Sequence, residues 1–184
     1  MDALARTWYD DGECDGEESD ANSAYTQAML GGPPTWISIP VEYWPAEWHK
    51  RFAKWKQTRD PRDQPVVRLL RNLYGHPLAG LYWEQHCKKA LYSLGWEPVK
   101  GWECLFKHVE SKLFLSVYVD DFRMAGRASS LAPMWARMRK VIDLDTPPKM
   151  DGSTYLGCRQ DAIAVDACLR KSMDLWKPIY EWCS

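Results

Sequence analysis

Two adjacent aspartates interrupt an apolar stretch in the second half of the chain. The segment LFLSVYVDDFRMAG, residues 113–126, is apolar and prone to β-structure on both sides of Asp120 and Asp121. Neighbouring side chains of a regular strand point to opposite faces, so the two carboxylates share one site only where the strand ends. We therefore predict a β-hairpin that carries the acidic pair at its tip.

Carboxylates grouped in this way favour a particular kind of ligand. No histidine or cysteine stands beside them, and oxygen ligands suit a hard cation such as Mg²⁺ or Mn²⁺ rather than zinc. Two such ions can activate an attacking oxygen and stabilise a leaving oxygen in phosphoryl transfer. The alternative is an exposed turn in which aspartate is simply a favourable residue, and the pair alone does not separate these interpretations.

The composition is that of a globular protein. The chain has 184 residues, 46% of them apolar, and a net charge of −1, which suits one domain or two small subdomains. The apolar runs are far shorter than the roughly 20 residues of a membrane-spanning helix, and no secretory signal is evident. Six cysteines are scattered without metal-binding spacing. We therefore expect an intracellular protein with reduced thiols and no membrane partner; its compartment and oligomeric state stay open.

The charges are unevenly distributed along the chain. Residues 1–20 hold eight acidic side chains against one basic, whereas residues 50–71 hold eight basic side chains against two acidic. This asymmetry fits a groove for a polyanion beside a cation site, or else a solvated surface with an acidic, frayed tail. The net charge of −1 argues against nonspecific nucleic-acid binding by the whole surface.

The surrounding segments predict the elements that position the acidic pair. Apolar residues at helical spacing predict helices over residues 81–94 and 130–142, with Gly95 as the cap of the first. Residues 104–108 and 113–119 read as a close strand pair. The mixed, non-periodic order of elements favours an α+β fold.

The remaining segments give shorter elements. We predict an acidic loop over residues 10–20, a short strand over residues 36–39, and irregular structure or a short helix near residues 46–56. The segments TYLGCRQ, residues 154–160, and AIAVDACL, residues 162–169, read as a last strand pair.

Four short motifs occur in order along the chain. They are LYGHPLAGLYW at 73–83, a helix ending in LGW at 94–96, a CLF strand at 104–106 and YVDD at 118–121. This order resembles the reverse transcriptase of copia-type retrotransposon Pol polyproteins. Members of that family typically show L-Y-G-L-K-Q-A-P-R-x-W, a Leu-Gly-Phe-like triplet, C-L-F and Y-V-D-D. The later segment YLGCRQ is similar to the F-L-G segment of the family, and the resemblance covers residues 20 to about 160.

The resemblance implies a third acidic residue upstream. The segment DANSAY, residues 20–25, matches the family pattern D-x-x-x-A-[FY]. By this resemblance Asp20, Asp120 and Asp121 are the catalytic residues and the ligands of Mg²⁺ or Mn²⁺. Taken alone, Asp20 reads equally well as a helix N-cap or a loop acid.

The resemblance also implies the residues that contact substrate. Tyr25 would lie under the sugar of the incoming nucleotide, where its ring excludes a 2′-hydroxyl, although core packing is the alternative for this residue alone. The turn at Tyr74 and Gly75 would approach the nascent base pair, where glycine permits close approach of the backbone. Four basic side chains with aromatic neighbours are candidates for contact with template phosphates: Lys50, Arg51, Lys54 and Lys56.

The implied activity is that of an RNA-directed DNA polymerase, which binds an RNA or DNA template-primer and deoxynucleoside triphosphates. The implied fold is α+β, a polymerase palm-like antiparallel sheet packed on helices, with the fingers largely missing because only 19 residues precede Asp20. The implied organisation is an acidic N-terminal segment at 1–19, a palm-like domain at 20–160 and a C-terminal extension at 161–184.

Besides the replacement of the Gln-Ala-Pro-Arg run by residues 78–81, two features of the strands beside the acidic pair depart from the family pattern. Residues 12–19, GECDGEES, are polar where the family has an apolar strand, and a buried strand of this composition is hard to stabilise. Arg123 follows the acidic pair where the strand is normally more apolar. These departures are consistent with a degenerate fragment of the polymerase that is inactive alone. The alternatives are a non-catalytic nucleic-acid-binding remnant and an unrelated α+β interaction domain.

Overall fold

The computed structural model of the protein describes residues 14–147, 154–155 and 158–159. The chain divides into two units, Met1–Pro148 and Lys149–Ser184. In the first unit a five-stranded antiparallel sheet packs against helices, so the α+β class is confirmed. The strands of this sheet are β1 (Cys14–Asp20), β4 (Glu97–Pro98), β5 (Leu105–His108), β6 (Leu113–Tyr118) and β7 (Asp121–Arg127), and a separate pair is formed by β2 (Trp36–Ile37) and β3 (Val67–Arg68). The α-helices of the first unit are α1 (Ala24–Gln27), α2 (Ala46–Arg51), α3 (Ala53–Thr58), α4 (Ala79–Ser93) and α5 (Ala128–Met138).

The two central strands of the sheet form the predicted hairpin. The strand order is β1-β7-β6-β5-β4, and each neighbouring pair is antiparallel. A two-residue turn, Val119-Asp120, joins β6 to β7. β1 lies beside β7 at one edge of this sheet, so the strand that ends in Asp20 is a neighbour of the hairpin.

One face of the sheet carries the core. Leu115 of β6 and Phe122 and Met124 of β7 have no exposed surface. They belong to one apolar cluster with side chains at helical spacing on α4 and α5, which explains why both helices lie on this face. The helix residues of the cluster are Trp83, Cys87 and Leu91 of α4 and Leu131, Met134, Trp135 and Met138 of α5.

The opposite face carries polar side chains of β1 and β7. Residues directly opposed in a sheet share a face, and faces alternate along each strand. Glu18 is opposed to Arg123 and Asp20 to Asp121, and these positions alternate with the core residue Phe122. Glu18, Asp20 and Asp121 therefore lie on the face away from the apolar cluster.

The long helices were predicted with shifted ends. The helix predicted over residues 81–94 spans Ala79–Ser93, and the one predicted over 130–142 spans Ala128–Met138. Gly95 has φ +92°, the left-handed conformation expected of a glycine after a helix C-terminus. Near residues 46–56, where irregular structure or a short helix was predicted, the chain forms two helices, because Phe52 leaves the helical conformation between them.

The loop predicted over residues 10–20 was wrong for its described part. Residues 14–20 form β1 and pair with β7 along their whole length. The sequence CDGEESD shows no apolar alternation, so this strand is stabilised by its neighbour rather than by its own pattern. β1 also crosses the boundary proposed between residues 19 and 20.

Residues 28–72 form an antiparallel arm. The Leu30 amide donates to the Leu70 carbonyl at 3.0 Å and the Asn72 amide to the Ala28 carbonyl at 2.9 Å, and β2 pairs with β3 farther out. The tip of the arm, residues 41–63, contains α2 and α3. There the buried ring of Trp44 contacts four other rings, those of Trp48, His49, Phe52 and Trp55.

The second unit is described only at two short strands. β8 (Thr154–Tyr155) and β9 (Cys158–Arg159) pair antiparallel with each other. The strand predicted at residues 162–169 and the extension at 161–184 lie outside the described residues. Across the parts of the chain that are described, none of the helices has the length and apolar character of a transmembrane span.

Candidate functional site at the hairpin tip

The backbone of the hairpin tip is held from two sides. The buried Trp83 of α4 donates its indole N–H to the Val119 carbonyl at 2.7 Å. The Ala21 amide, directly after β1, donates to the Asp120 carbonyl at 2.8 Å. Val119 has φ +55°, a conformation that β-branched residues rarely adopt, and these two bonds hold the turn that requires it.

The register of β1 places Asp20 beside the acidic pair. Asp20 is directly opposed to Asp121, which is itself opposed to Tyr118 on the other side. The Asp20 carbonyl accepts from the Asp145 amide at 2.9 Å, which fixes the end of β1. Three acidic residues, one of them a hundred positions from the others in sequence, therefore lie at one end of the sheet.

The three carboxylates influence one another. Partial burial raises the pKa of Asp121, and the charges of Asp20 and Asp120 and a side-chain hydrogen bond with Asp20 raise it further. The positive charge of Arg123 acts in the opposite direction and lowers the pKa of Asp121. The cost of ionising Asp121 is therefore one that a bound cation would offset.

The donor set suits a hard divalent cation, but the side chains do not converge on one. Only carboxylate oxygens are available from the acids, which are the ligands that Mg²⁺ and Mn²⁺ prefer. Within residues 14–147, 154–155 and 158–159, no group of three or more His, Cys, Asp or Glu side chains is arranged to hold a metal ion. Asp20 and Asp120 are exposed to solvent at this end of the sheet.

Two residues predicted to contact substrate touch each other. The rings of Tyr25 on α1 and Tyr74 lie 4.7 Å apart between centroids, inclined at 44°. Tyr74 is half exposed, and the following Gly75 has φ +88°, so the turn depends on glycine. The buried Asn72 holds this turn, because it donates to the Ala79 carbonyl at 2.8 Å and accepts from the next backbone amide at 3.0 Å.

The segment after β1 is tied to the segment after α5. The Gln27 side chain donates to the Asp143 carbonyl at 2.9 Å and accepts from the Asp143 amide at 2.9 Å. Asn22 adds a bond from its side-chain amide to the Asp143 carboxylate at 3.1 Å. Sequence reasoning missed Asn72, and it missed Gln27 and Asp143 because these two partners lie 116 positions apart in the chain.

The predicted phosphate-binding side chains lie on the tip of the arm. Lys50 and Arg51 are on α2 and Lys54 and Lys56 on α3, and all four are exposed. Lys56 contacts the His49 ring nitrogen Nδ1 at 3.2 Å. No ion pair in the described residues joins these cations to the acids of the hairpin tip. Their aromatic neighbours pack against Trp44 rather than standing free.

The two strand departures from the copia-type pattern, the polar strand β1 and Arg123, interact with each other. Arg123 Nη2 lies 2.8 Å from Glu18 Oε2, and only 2% of the arginine side chain and 19% of the glutamate side chain are exposed. The two residues are directly opposed on β7 and β1, two positions from Asp121 and Asp20. The polar strand and the unexpected arginine are thus parts of one interaction.

Comparison with known proteins identifies no relative of this chain. No protein-family model matches it, and neither the curated proteins nor the solved structures contain a match. A functional assignment therefore depends on the sequence motifs and the geometry described above.

Proposed function

We propose that this chain is the palm part of an RNA-directed DNA polymerase related to copia-type retrotransposons. The observation that carries the proposal is the register of β1. It places Asp20 opposite Asp121, beside the turn that contains Asp120, although the sequence motif required only that Asp20 lie somewhere upstream. This arrangement of the three acids is expected of a polymerase palm and is not expected of an unrelated domain.

In the proposed reaction, the primer 3′-hydroxyl attacks the α-phosphorus of a deoxynucleoside triphosphate and pyrophosphate leaves. Asp20, Asp120 and Asp121 would hold Mg²⁺ or Mn²⁺, which supplies positive charge to the developing oxyanions. The protein contributes mainly position. The hydrogen bonds from Trp83 and Ala21 hold the acidic turn in place before substrate arrives.

The aromatic pair supplies a surface for the incoming nucleotide. Tyr25 follows Asp20 by five positions on α1, and its ring is braced against Tyr74. A braced ring is a better steric barrier to a ribose 2′-hydroxyl than a mobile one, because it cannot move aside without losing the contact. Gly75 leaves the backbone beside Tyr74 open to a base pair.

The exposed cations of the arm tip support a second candidate function, a nucleic-acid-binding remnant without catalysis. The four side chains are exposed and carry no ion pair in the part of the chain that the structure describes. Phosphate contacts by such side chains need neither a metal nor the acidic turn. The four exposed cations are Lys50, Arg51, Lys54 and Lys56.

Primer extension on the full chain tests the proposal. The assay uses a primed RNA template, the four deoxynucleoside triphosphates and Mg²⁺ or Mn²⁺. We expect incorporation that Asp120→Asn abolishes. Glu110→Gln, in the exposed turn between β5 and β6, is the matched control and should retain incorporation. Salt-sensitive binding that survives Asp120→Asn, without incorporation by any variant, would favour the remnant. Neither binding nor incorporation would favour an unrelated α+β interaction domain.

A further inference from the structure

We propose that the ion pair between Glu18 and Arg123 sets the register of β1 against β7 and so keeps Asp20 opposite Asp121. Both side chains are then positioning residues for the acidic site. The consequence for catalysis rests on the function proposed above, whereas the register can be measured without it.

β1 lacks the usual determinant of strand register. Apolar alternation fixes a register because a slip of one residue moves every apolar side chain to the wrong face. The sequence CDGEESD has no such alternation and contains a glycine. A strand of this composition is only weakly specified by burial, so another interaction must select its position.

The Glu18–Arg123 pair has the properties of such a selector. The guanidinium is 2% exposed and its Nη2 lies 2.8 Å from the glutamate oxygen. A buried charge without an opposite charge is strongly unfavourable, so arrangements that place an acid opposite Arg123 are preferred over those that do not. Fixing register is the best-attested role of buried polar groups in other folds.

β1 can slip along β7 by one residue in either direction. One slip removes the acid opposite Arg123, and the other moves Glu18 to the apolar face. One slip places Ser19 opposite Arg123 and leaves the guanidinium without this carboxylate. The other places Glu17 opposite Arg123, but it also places Glu18 opposite Phe122, on the apolar face. In the observed register that position belongs to Ser19, which is buried and donates to the Asp145 carbonyl at 2.9 Å. The observed register therefore pairs Arg123 with Glu18 and keeps Ser19, not a carboxylate, in the buried position opposite Phe122.

A native cysteine makes the register measurable. Cys14 is directly opposed to Arg127, and opposed residues of antiparallel strands lie within the Cα separation that a disulfide requires. In an Arg127→Cys variant, mild oxidation should join Cys14 to the introduced cysteine. A slip of one residue moves the two side chains to opposite faces and prevents the bond. Peptide mapping by mass spectrometry gives the ratio of cross-linked to uncross-linked chain.

The test compares two acids in the Arg127→Cys background. Glu18→Gln is expected to lower the cross-linking ratio about tenfold, which corresponds to about 1.4 kcal/mol of register preference. Glu110→Gln removes the same charge from the exposed turn between β5 and β6 and is expected to leave the ratio unchanged. Equal ratios for the two variants would overturn the proposal.

Two double variants keep the test decisive if Glu18→Gln folds poorly. Exchanging the charges, Glu18→Arg with Arg123→Glu, should restore the cross-link, because the pair is rebuilt with the same geometry. Glu18→Leu with Arg123→Met replaces the pair by apolar side chains, which buried pairs often tolerate without loss of stability. It should fold cooperatively and still cross-link poorly. A folded charge exchange that fails to cross-link, or an apolar pair that cross-links fully, would refute the role in register. If these results hold and primer extension still fails, the register inference stands and the proposed function falls.

Discussion

Removing the charge of Asp121 tests the electrostatics of the hairpin tip. Partial burial and the neighbouring acids Asp20 and Asp120 raise the pKa of Asp121. A carboxyl group with a raised pKa in the folded state stabilises the fold below its unfolded pKa, and this contribution is lost as the pH rises through the folded value. At neutral pH the ionised side chain is therefore a cost. We expect Asp121→Asn to be more stable than the parent chain when no divalent ion is present.

The size of the effect follows from the cross-strand geometry. Two unit charges about 4 Å apart repel by about 1 kcal/mol in water and by about 4 kcal/mol at the effective dielectric constant of a protein surface. Asp20 is exposed and directly opposed to Asp121, so the lower figure applies. The expected gain for Asp121→Asn is about 1 kcal/mol at neutral pH. It should vanish below the ordinary aspartate pKa of 3.8, where the group is protonated in both states.

A divalent cation should reverse the order of stability. A ligand that binds only the folded parent chain stabilises it by about 1.4 kcal/mol at ten times its dissociation constant. Asp121→Asn loses a proposed ligand of that cation and gains less. The parent chain should therefore be the more stable of the two at saturating Mg²⁺ or Mn²⁺, although it is the less stable in a chelator.

Urea unfolding monitored by tryptophan fluorescence measures both effects, since the chain contains eleven tryptophans. Parent chain, Asp121→Asn and the control Glu110→Gln are compared with chelator and across a Mg²⁺ titration. Glu110→Gln should follow the parent curve throughout. An Asp121→Asn variant that is less stable than the parent in chelator would refute the electrostatic reasoning. A parent curve that does not respond to Mg²⁺ or Mn²⁺ would refute the cation site.

Other substitutions test other parts of the molecule. Trp83→Phe removes the donor to the Val119 carbonyl but keeps an aromatic ring, so urea titration should show a loss of about 1–2 kcal/mol. Gly126→Ala should cost about 2–3 kcal/mol, because φ is +143° and a Cβ would lie 2.3 Å from the Lys112 carbonyl oxygen. Gly80→Ala, on α4 with open space around it, should instead gain about 0.5–1 kcal/mol. The four cations of the arm tip are Lys50, Arg51, Lys54 and Lys56. If the arm tip binds single-stranded nucleic acid, changing all four to glutamine should reduce the slope of log affinity against log salt by about 3 in anisotropy titrations. An unchanged slope would contradict that contact.

The hairpin and the two long helices were predictable because their determinants are local. Strand pairing across a short turn needs only two apolar runs, and α4 and α5 show one apolar face at helical spacing. Gly95 marks the end of α4 through its own backbone preference. Each of these signals lies within about fifteen residues of the element that it predicts.

The determinants of β1 were not predictable because they lie on another strand. Glu18 and Arg123 are 105 positions apart, and each looked anomalous in its own segment. The role of Trp83 was also only partly predictable. Its spacing predicted a core residue on one face of a helix, and it is one. Its bond to the hairpin turn, 36 positions away, is visible only once the chain has folded.

The resemblance supplied what periodicity could not, the relation of Asp20 to the acidic pair. The motif order suggested that these residues act together, and the β1–β7 register brings Asp20 beside Asp121. The resemblance did not supply the packing of the arm tip. Phe52 and Trp55 interleave with basic residues in the sequence, which suggested contact with nucleic acid, yet both rings pack against Trp44.

The acidic composition of β1 is consistent with its place at the edge of the described sheet. An exposed strand edge invites pairing with other chains, and charged side chains discourage this. An apolar β1 would pack well in a buried strand, but at this edge it would both promote such pairing and leave Arg123 without the Glu18 carboxylate. The sequence that is unsuited to a buried strand therefore suits a strand with three requirements: a protected edge, an acid opposite Arg123 and Asp20 opposite Asp121.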